Sequence, residues 1–453
     1  MTPPLWLSQD IARATAGVEQ GRFTANGVAI DTRKLQPGDL FVALSGKRVD
    51  GHDFVDSAMA AGAAGVLVER AVDAPHIRVK SVPAALTALG RAGRDRFEGT
   101  LVGITGSVGK TTLRALASAA LAAYGQVEAT KGNLNNQLGV PLTLANLSPT
   151  SAYAVIEMGM NQPGEIAALT RLARPHAAMV TAIAESHSAY FDSLAAIADA
   201  KAEIFQGLTG STPLALYPGD SPFTAQLQRE IPGRAISLTF GESASCEVEL
   251  LAYEGASSRF RVGEERVRLR PRLLGRHNAR NLAAALSLIA ALGLPIGPAL
   301  PALEAVAALP GRGQEQRLAL ASGGSLRVIN DAYNAAPASI DAMLKTLAEQ
   351  EVKGRRIALL GDMSEQANPE KSHRDLVFSV AESPPDLLLS LGFYMAELYA
   401  ASAGICERIH FQTLEDLAAR LPLILSSEDL LWAKASNASG LGAWLETKAK
   451  EGF

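Results

Sequence analysis

The sequence predicts an α/β chain of three domains: a small α/β module, a mostly parallel sheet domain with helices on both faces, and a second α/β sheet domain. Three observations predict it. The chain has 453 residues, enough for about three domains of roughly 150 residues. Short apolar β-like runs alternate with Ala-rich helical runs, the pattern of parallel strands joined by helical crossovers. Composition changes near Leu101 and again near Pro310-Gly-Arg-Gly313, which divides the chain into 1–97, 98–309 and 310–453, with the glycine pair as a hinge.

In the first part, Asp39–Leu44 and Gly65–Val68 read as strands and Phe54–Ala61 as a helix. In the second, Leu101–Thr105 is a buried-strand pattern followed by a helix over Thr111–Ala123, with further strands at Tyr153–Glu157, Ala178–Ala182 and Pro213–Tyr217. Residues 246–274 alternate polar and apolar, as in Arg259-Phe-Arg-Val and Arg266-Val-Arg-Leu-Arg, which predicts antiparallel strands added to the parallel sheet. In the third, strands are expected at Leu326–Ile329, Arg356–Leu360, Asp386–Ser390 and Leu430–Ala433. No GxGxxG follows any of these strands, so a dinucleotide site is not indicated.

The 42 basic and 46 acidic side chains sum to −4, which argues against a nucleic-acid binder. A hydrophobic share of 48% excludes extended disorder. Cys246 and Cys406 are the only two cysteines, too few for a disulfide framework or a cysteine zinc site, and they fit a reducing compartment. The N-terminus has no basic region followed by an apolar run. The uncharged stretch Leu282–Leu303 is broken by Pro295, Pro298 and Pro301, so it reads as a buried helix ending near Gly293 and not as a membrane span. A cytoplasmic monomer without membrane insertion is expected.

The strongest local signal is Gly103-Ile-Thr-Gly106-Ser107-Val108-Gly109-Lys110-Thr111-Thr112, which joins a strand to a helix. Glycines let backbone N–H groups curl around phosphate oxygens. The helix N-terminus adds positive potential, Lys110 a full charge, and Thr111 a hydroxyl for Mg²⁺. Ile104 stands where the strict Walker pattern has glycine, so the form is T-G-x-x-G-K-T. ATP is the expected nucleotide.

That shorter form resembles the phosphate loop of the Mur ligases, ATP-dependent amide-forming enzymes of peptidoglycan precursor synthesis. Further segments match in order: Ile30-Asp31-Thr32-Arg33, Pro37–Leu44, Asp50-Gly-His52, Asn133-Leu-Asn135-Asn136 through Thr143, Glu157-Met-Gly159, Gly164-Glu-Ile166, Gly275-Arg-His277-Asn278, Asp331-Ala-Tyr333-Asn334-Ala335 and Gly361-Asp-Met363. The resemblance runs from about residue 27 to 375. The Asn133–Thr143 run, and the lack of a D-N-P-R motif, place it nearest the members that join D-alanyl-D-alanine to UDP-N-acetylmuramoyl-tripeptide.

The resemblance implies a UDP-binding first domain, an ATP-binding central domain and a Rossmann-like third domain. It implies catalysis through an acyl phosphate, with ATP and two Mg²⁺ ions. Lys110, Glu157, His187 and Lys201 would be catalytic. Thr111, Glu157, His187 and a carbamylated Lys201 would hold metal. Gly106 to Thr112 with His277, Asn278, Asn281, Arg312 and Asp331 would bind ATP. Asp31, Thr32, Arg33, Asn135 and Asn136 would meet the UDP-substrate. Taken singly, several of these read as ordinary features: Glu157 as a solvated strand end, Lys201 as a snorkelling lysine, Asn278 as a helix cap.

The chain departs from the family pattern at Ala182, where relatives have Asn, and at Ser186-His-Ser-Ala189. It departs again at Ala336, and at Ala433-Lys434-Ala435-Ser436-Asn437, where relatives show V-K-G-S-R. These departures keep two other readings open: a different amide ligase of the same architecture, and a nucleotide-binding protein without catalysis. Retention of Lys110, Thr111, Glu157, His187 and Lys201 weighs against the second.

Overall fold

The protein is described by a computed structural model covering residues 3–46, 49–185, 190–320 and 323–452. Beside a two-stranded pair, Trp6–Leu7 with Thr24–Ala25, three larger sheets follow one another along the chain. The first has strands Val18–Gln20, His76–Arg78, Gly65–Val68, Asp39–Val42 and Gly27–Ala29 in that spatial order, parallel except for the first pair. Between its third and fourth strands by sequence the chain makes a turn of 3₁₀-helix at Gly51–Phe54 and a short helix at Val55–Ala60. The helix expected over Phe54–Ala61 is therefore shorter, because Asp50 caps the preceding turn by accepting from His52 N–H.

The middle sheet has nine strands among the described residues. Its spatial order is Val127–Ala129, Tyr153–Glu157, Thr100–Thr105, Ala177–Val180, Leu214–Pro218, Ile236–Gly241, Val248–Tyr253, Ser258–Val262 and Glu265–Leu269. All but the last two pairings are parallel, so the alternating segment after Cys246 forms the antiparallel edge its pattern predicts. The parallel strands are buried on both faces, which explains their unbroken apolar runs. Helices Lys110–Leu121 and Arg276–Ala291 cover one face, the latter through Leu282, Leu286 and Ile289. Helices Glu165–Ala173 and Leu194–Ala202 cover the other through Ile166, Leu169 and Ile197. No helix of the described residues is long and apolar enough to cross a membrane.

The third sheet runs Gln314–Ala319, Ser325–Asn330, Leu430–Lys434, Arg356–Gly361, Leu387–Leu391 and Glu407–Phe411, parallel after its first pair. Helices Pro337–Ala348 and Pro369–Glu382 pack, through Ile340, Met343 and Leu376, on the sheet face that carries Ile329, Ala358 and Trp432.

The first two sheets are locked together by a close helix crossing. Gly90 and Gly93 of helix Val82–Arg96 face Pro141 and Leu144 of helix Gly139–Ala145, and a Cβ on Gly93 would lie 2.2 Å from Leu144 O. Asn146 closes the seam: its amide oxygen accepts from Val28 N–H at 2.9 Å and its nitrogen donates to Val28 O at 3.0 Å. It pairs with strand Gly27–Ala29 as a further strand would.

Candidate functional site

Strand Thr100–Thr105 is flanked by strands that follow it in sequence on both sides. Such a reversal of strand order leaves a crevice at the carboxyl ends of the strands, where ligands bind in α/β sheets. The Gly106–Gly109 loop emerges into that crevice. Gly106 has φ 147°, and a Cβ there would lie 1.8 Å from Thr181 Oγ1, which itself donates to Val108 O at 2.5 Å. Gly109 has φ 83° and leads into helix Lys110–Leu121, with Asn281 packed against it. Both glycines are thus required by backbone conformation and by crowding.

Lys110 donates to Gly106 O at 2.6 Å and Ser107 O at 3.1 Å. Desolvation lowers its pKa, and Glu157 opposes that. Glu157 ends its strand 2% exposed. Its backbone N–H donates to Thr130 Oγ1 at 3.0 Å, Asn135 Nδ2 donates to its Oε1 at 2.8 Å, and Thr111 Oγ1 lies 3.4 Å from the same oxygen. Oε2 accepts no hydrogen bond among the described residues and lies 3.2 Å from Arg114 Nη1. The solvated strand-end reading therefore fails: this is a buried carboxylate beside a phosphate loop, which requires cationic company.

A cleft of about 690 Å³ runs from this point to the third domain. Ser107 to Thr112, Asn135, Asn136 and Glu157 line one side, and Arg312, Asp331, Tyr333 and Lys434 line the other. Arg312 stacks on Tyr333, its Cζ 4.1 Å from the ring centroid. Lys434, 4% exposed, donates to Asp331 Oδ2 at 2.7 Å and to Asn334 O at 3.1 Å. His277 and Asn278 enter from the start of helix Arg276–Ala291. Water reaches the His277 ring through the cleft, yet the protein around it pushes the imidazole down to about 4, against the pull of Asp331. It is a neutral ring at pH 7. Asn281, 9% exposed, donates to Asn278 Oδ1 at 3.2 Å, so it orients Asn278 and supports Gly109.

Other expected residues lie elsewhere. Lys201 is fully buried, its Nζ has no hydrogen-bond partner among the described residues, and desolvation drives its pKa well down, with Lys110 acting in the same direction. It does not snorkel. Asp31 and Arg33 form a two-point pair at 2.9 and 2.8 Å on the first domain, outside the cleft lining, and that pairing holds Asp31 at about 2. Thr32 lies between them. His187, with Ser186, Ser188 and Ala189, lies outside the described residues.

The departures have local consequences. Ala182 keeps a backbone role, its carbonyl accepting from Ser107 N–H at 2.8 Å. Ala336 cannot cap helix Pro337–Ala348 with a side chain. Ser339 does so instead, accepting from Ala336 N–H at 3.0 Å and donating to Ala336 O at 2.8 Å. Asn437 opens a 3₁₀ turn, Asn437–Ser439.

Three residues at the site escape sequence reasoning. Arg114 sits one turn beyond Lys110, a spacing that could have drawn attention to it. Lys434 is visible only as part of an altered motif. Glu365 has φ 62°, an uncommon conformation for a non-glycine residue, and its charge acts on Lys110.

Comparison with known proteins agrees with this geometry. Residues 24–94, 104–289 and 316–437 match, in turn, the family descriptions "Mur ligase family, catalytic domain", "Mur ligase middle domain" and "Mur ligase, glutamate ligase domain". The UDP-N-acetylmuramoyl-tripeptide–D-alanyl-D-alanine ligase of Escherichia coli is 36% identical over 90% of this chain and 90% of its own. That of Bacillus subtilis is 34% identical over 95% and 94%. Among solved structures, MurF from Acinetobacter baumannii superimposes with a TM-score of 0.87 at 27% identity, covering 98% of this chain and 99% of its own. MurF ligase from Thermotoga maritima in complex with ADP gives 0.77 at 27%, covering 94% and 97%. The chain belongs to the Mur ligase family.

Proposed function

We propose that this protein forms an amide bond at the expense of ATP, joining D-alanyl-D-alanine to UDP-N-acetylmuramoyl-tripeptide in the cytoplasm, as a monomer. The observation that carries the reading is the meeting of Lys110, Thr111, Glu157 and Asn135 at one strand edge, opposite Arg312 and Asp331 of the third domain. The relatives that match most of the chain carry that ligase name. We take the domain limits as 1–97, 98–309 and 310–453, which would give each of the three larger sheets a domain of its own.

Carboxylate and amine do not condense unaided. The tripeptide carboxylate attacks the γ-phosphorus of ATP, ADP leaves, and an acyl phosphate forms. The dipeptide amine attacks the acyl carbon, a proton is lost, and inorganic phosphate leaves with the C–O bond. Both steps need positioning and neutralised charge more than covalent help. Lys110 and the loop N–H groups hold the β- and γ-phosphates. Arg312 and Asp331 meet ATP from across the cleft. His277 and Asn278 face the base. Asn135 and Asn136 meet the UDP-substrate near its sugar, while Asp31, Thr32 and Arg33 hold uridine and diphosphate. Closing the cleft keeps water from the acyl phosphate.

Mg²⁺ fits the donor set. Thr111 Oγ1 and Glu157 Oε1 are oxygen donors 3.4 Å apart beside the phosphate loop, and Glu157 Oε2 accepts no hydrogen bond among the described residues. Among the described residues no group of three or more His, Cys, Asp or Glu forms a ready-made site. Bound Mg²⁺ supplies charge neutralisation to the crowded phosphate oxygens. Lys201, buried, unpaired among the described residues and with a lowered pKa, is suited to react as a neutral amine with CO₂, and the carbamate would serve a second ion with His187.

The test is phosphate release from ATP with UDP-N-acetylmuramoyl-tripeptide, with and without D-alanyl-D-alanine. Release that needs both substrates supports the reading. Turnover indifferent to the dipeptide points to another amine, and release without the tripeptide overturns the ligase assignment.

A further inference from the structure

Three carboxylates line the nucleotide cleft: Glu157, Glu165 and Asp331. Glu157 is paired with Arg114 at 3.2 Å and Asp331 with Lys434 at 2.7 Å. Glu165 meets no cation among the described residues; its contacts are neutral N–H groups. It is half-buried and begins helix Glu165–Ala173. An acid at that position ordinarily serves the helix terminus. Here Glu203 does so, accepting from Gly164 N–H at 2.7 Å and from Ala167 N–H at 2.9 Å.

Glu165 joins two loops instead. Its Oε2 accepts from Asn161 N–H at 2.7 Å and Gln162 N–H at 3.2 Å, and its Oε1 accepts from Gln137 Nε2 at 3.0 Å. Gln137 follows Asn135 and Asn136, and Gly159 N–H donates to Asn135 O at 2.7 Å. The carboxylate is thus held between the loop assigned to the UDP-substrate and the loop that follows Glu157. Three N–H contacts leave one of its roughly four acceptor positions open. Leu138 and Met160, from the same two loops, also line the cleft and are apolar. Lys110 is the opposite pole, at the phosphate end. Both charges are felt at Lys201: burial lowers its pKa most, Lys110 adds to that fall and Glu165 opposes it. A substrate residue with its carboxylate toward Lys110 and an ammonium-tipped side chain toward Glu165 satisfies both poles.

We propose that Glu165 recognises an ammonium group on the side chain of the tripeptide's last residue, the one whose carboxylate is activated, with Leu138 and Met160 against the aliphatic stem. The proposal rests on the ligase reading above and adds to it the substrate class, a tripeptide that ends in a basic amino acid. Glu165 is a specificity determinant and takes no part in phosphoryl transfer. A site built to bond a charged N–H group rejects the analogue that lacks it.

Initial rates of the full chain test it, with UDP-N-acetylmuramoyl-tripeptides ending in lysine or in norleucine, which has lysine's carbon chain without the ammonium. The wild type should favour lysine in kcat/KM by about tenfold or more, the worth of one charged hydrogen bond. Glu165→Gln keeps an acceptor for the two loops and removes the charge. Its kcat/KM for the lysine substrate should fall to near the norleucine value, so that the preference disappears. A folding defect would lower both substrates alike and leave the preference in place. A wild type that uses lysine and norleucine equally overturns the proposal without any variant. A Glu165→Gln protein that keeps the full preference also overturns it, and both results leave the ligase reading standing. Phosphate release that ignores the tripeptide altogether overturns both.

Discussion

Arg114 and Glu157 form an ion pair at 3.2 Å in the floor of the cleft, and the same guanidinium nitrogen donates to Gly132 O at 2.8 Å. One side chain, 10% exposed, therefore ties the strand-end carboxylate to the loop that carries Asn133, Asn135 and Asn136. The loop answers through Asn135, which donates to the other carboxylate oxygen. A buried acid held this way costs more when its partner is removed than the pair contributes when intact. Arg114→Met should destabilise the protein by about 3–5 kcal/mol, the cost of an uncompensated buried charge. It should also raise KM for the UDP-tripeptide more than KM for ATP. Urea unfolding and substrate kinetics check the two halves, and Arg114→Lys should recover part of each.

Lys110→Ala should leave the fold intact and stop turnover. Its ammonium is partly desolvated and bonds only two carbonyls of its own loop, so folding gains little from it. Losing the cation from the phosphate site should lower kcat by at least about a thousandfold, the scale found for cations that act on a transferring phosphoryl group. UDP-tripeptide binding, measured by calorimetry, should be unchanged. Ligation near the wild-type rate would remove the phosphate-loop assignment.

Lys201 sets stability against activity. A fully buried amine with no partner among the described residues opposes folding, and its lowered pKa is the sign of that cost. Lys201→Met should therefore raise the melting temperature measured without bicarbonate while abolishing ligation. If Lys201 works as a carbamate, acetate or formate should restore some activity to Lys201→Ala. Melting of Lys201→Met below the wild type would contradict the stability half.

The first and second domains should come apart when their helix crossing is widened. A Cβ on Gly93 would meet Leu144 O at 2.2 Å and Ala145 Cα at 2.9 Å, both backbone atoms that cannot step aside. Gly93→Ala should cost about 1–3 kcal/mol, the usual penalty of overpacking. Gly233 has open space around it, so Gly233→Ala is the control and should change stability little.

The parts readable from sequence are those whose chemistry is local. Gly106, Gly109, Lys110 and Thr111 stand close together because a loop must wrap one phosphate, and strands such as Tyr153–Glu157 show as apolar runs because both faces are buried. Arg114 carries no such mark: an arginine in the second turn of a helix is ordinary until the fold brings Glu157 beside it. The same holds for Lys434 and Asp331, which sit at neighbouring strand ends only because Leu430–Lys434 inserts between Ser325–Asn330 and Arg356–Gly361. Asn281, which the resemblance sets among the ATP-binding residues, lines the cleft and also braces Asn278 and Gly109, contacts that only the fold reveals. Glu365 is conspicuous only through its backbone, since φ cannot be read from a glutamate in sequence.

Acid should weaken the third domain through His373. This side chain is fully buried, its Nε2 accepts from Met363 N–H at 2.8 Å, and Nδ1 donates to Pro369 O at 2.6 Å. Both nitrogens are thus committed in the neutral form, and a second ring proton would face the Met363 N–H. Burial lowers the imidazole pKa, although Pro369 and Asp362 oppose the shift. The unfolded chain binds the proton more readily, so as pH falls below the unfolded value of about 6.5 the unfolded state gains and stability declines. His176 and His410 are lowered too and add to the same slope. Melting temperatures should therefore fall between about pH 6.5 and 5, and His373→Gln, less stable at pH 7.5 for its lost bonds, should show a shallower fall. Parallel pH profiles for the two proteins would mean that His373 is not the group that senses the acid.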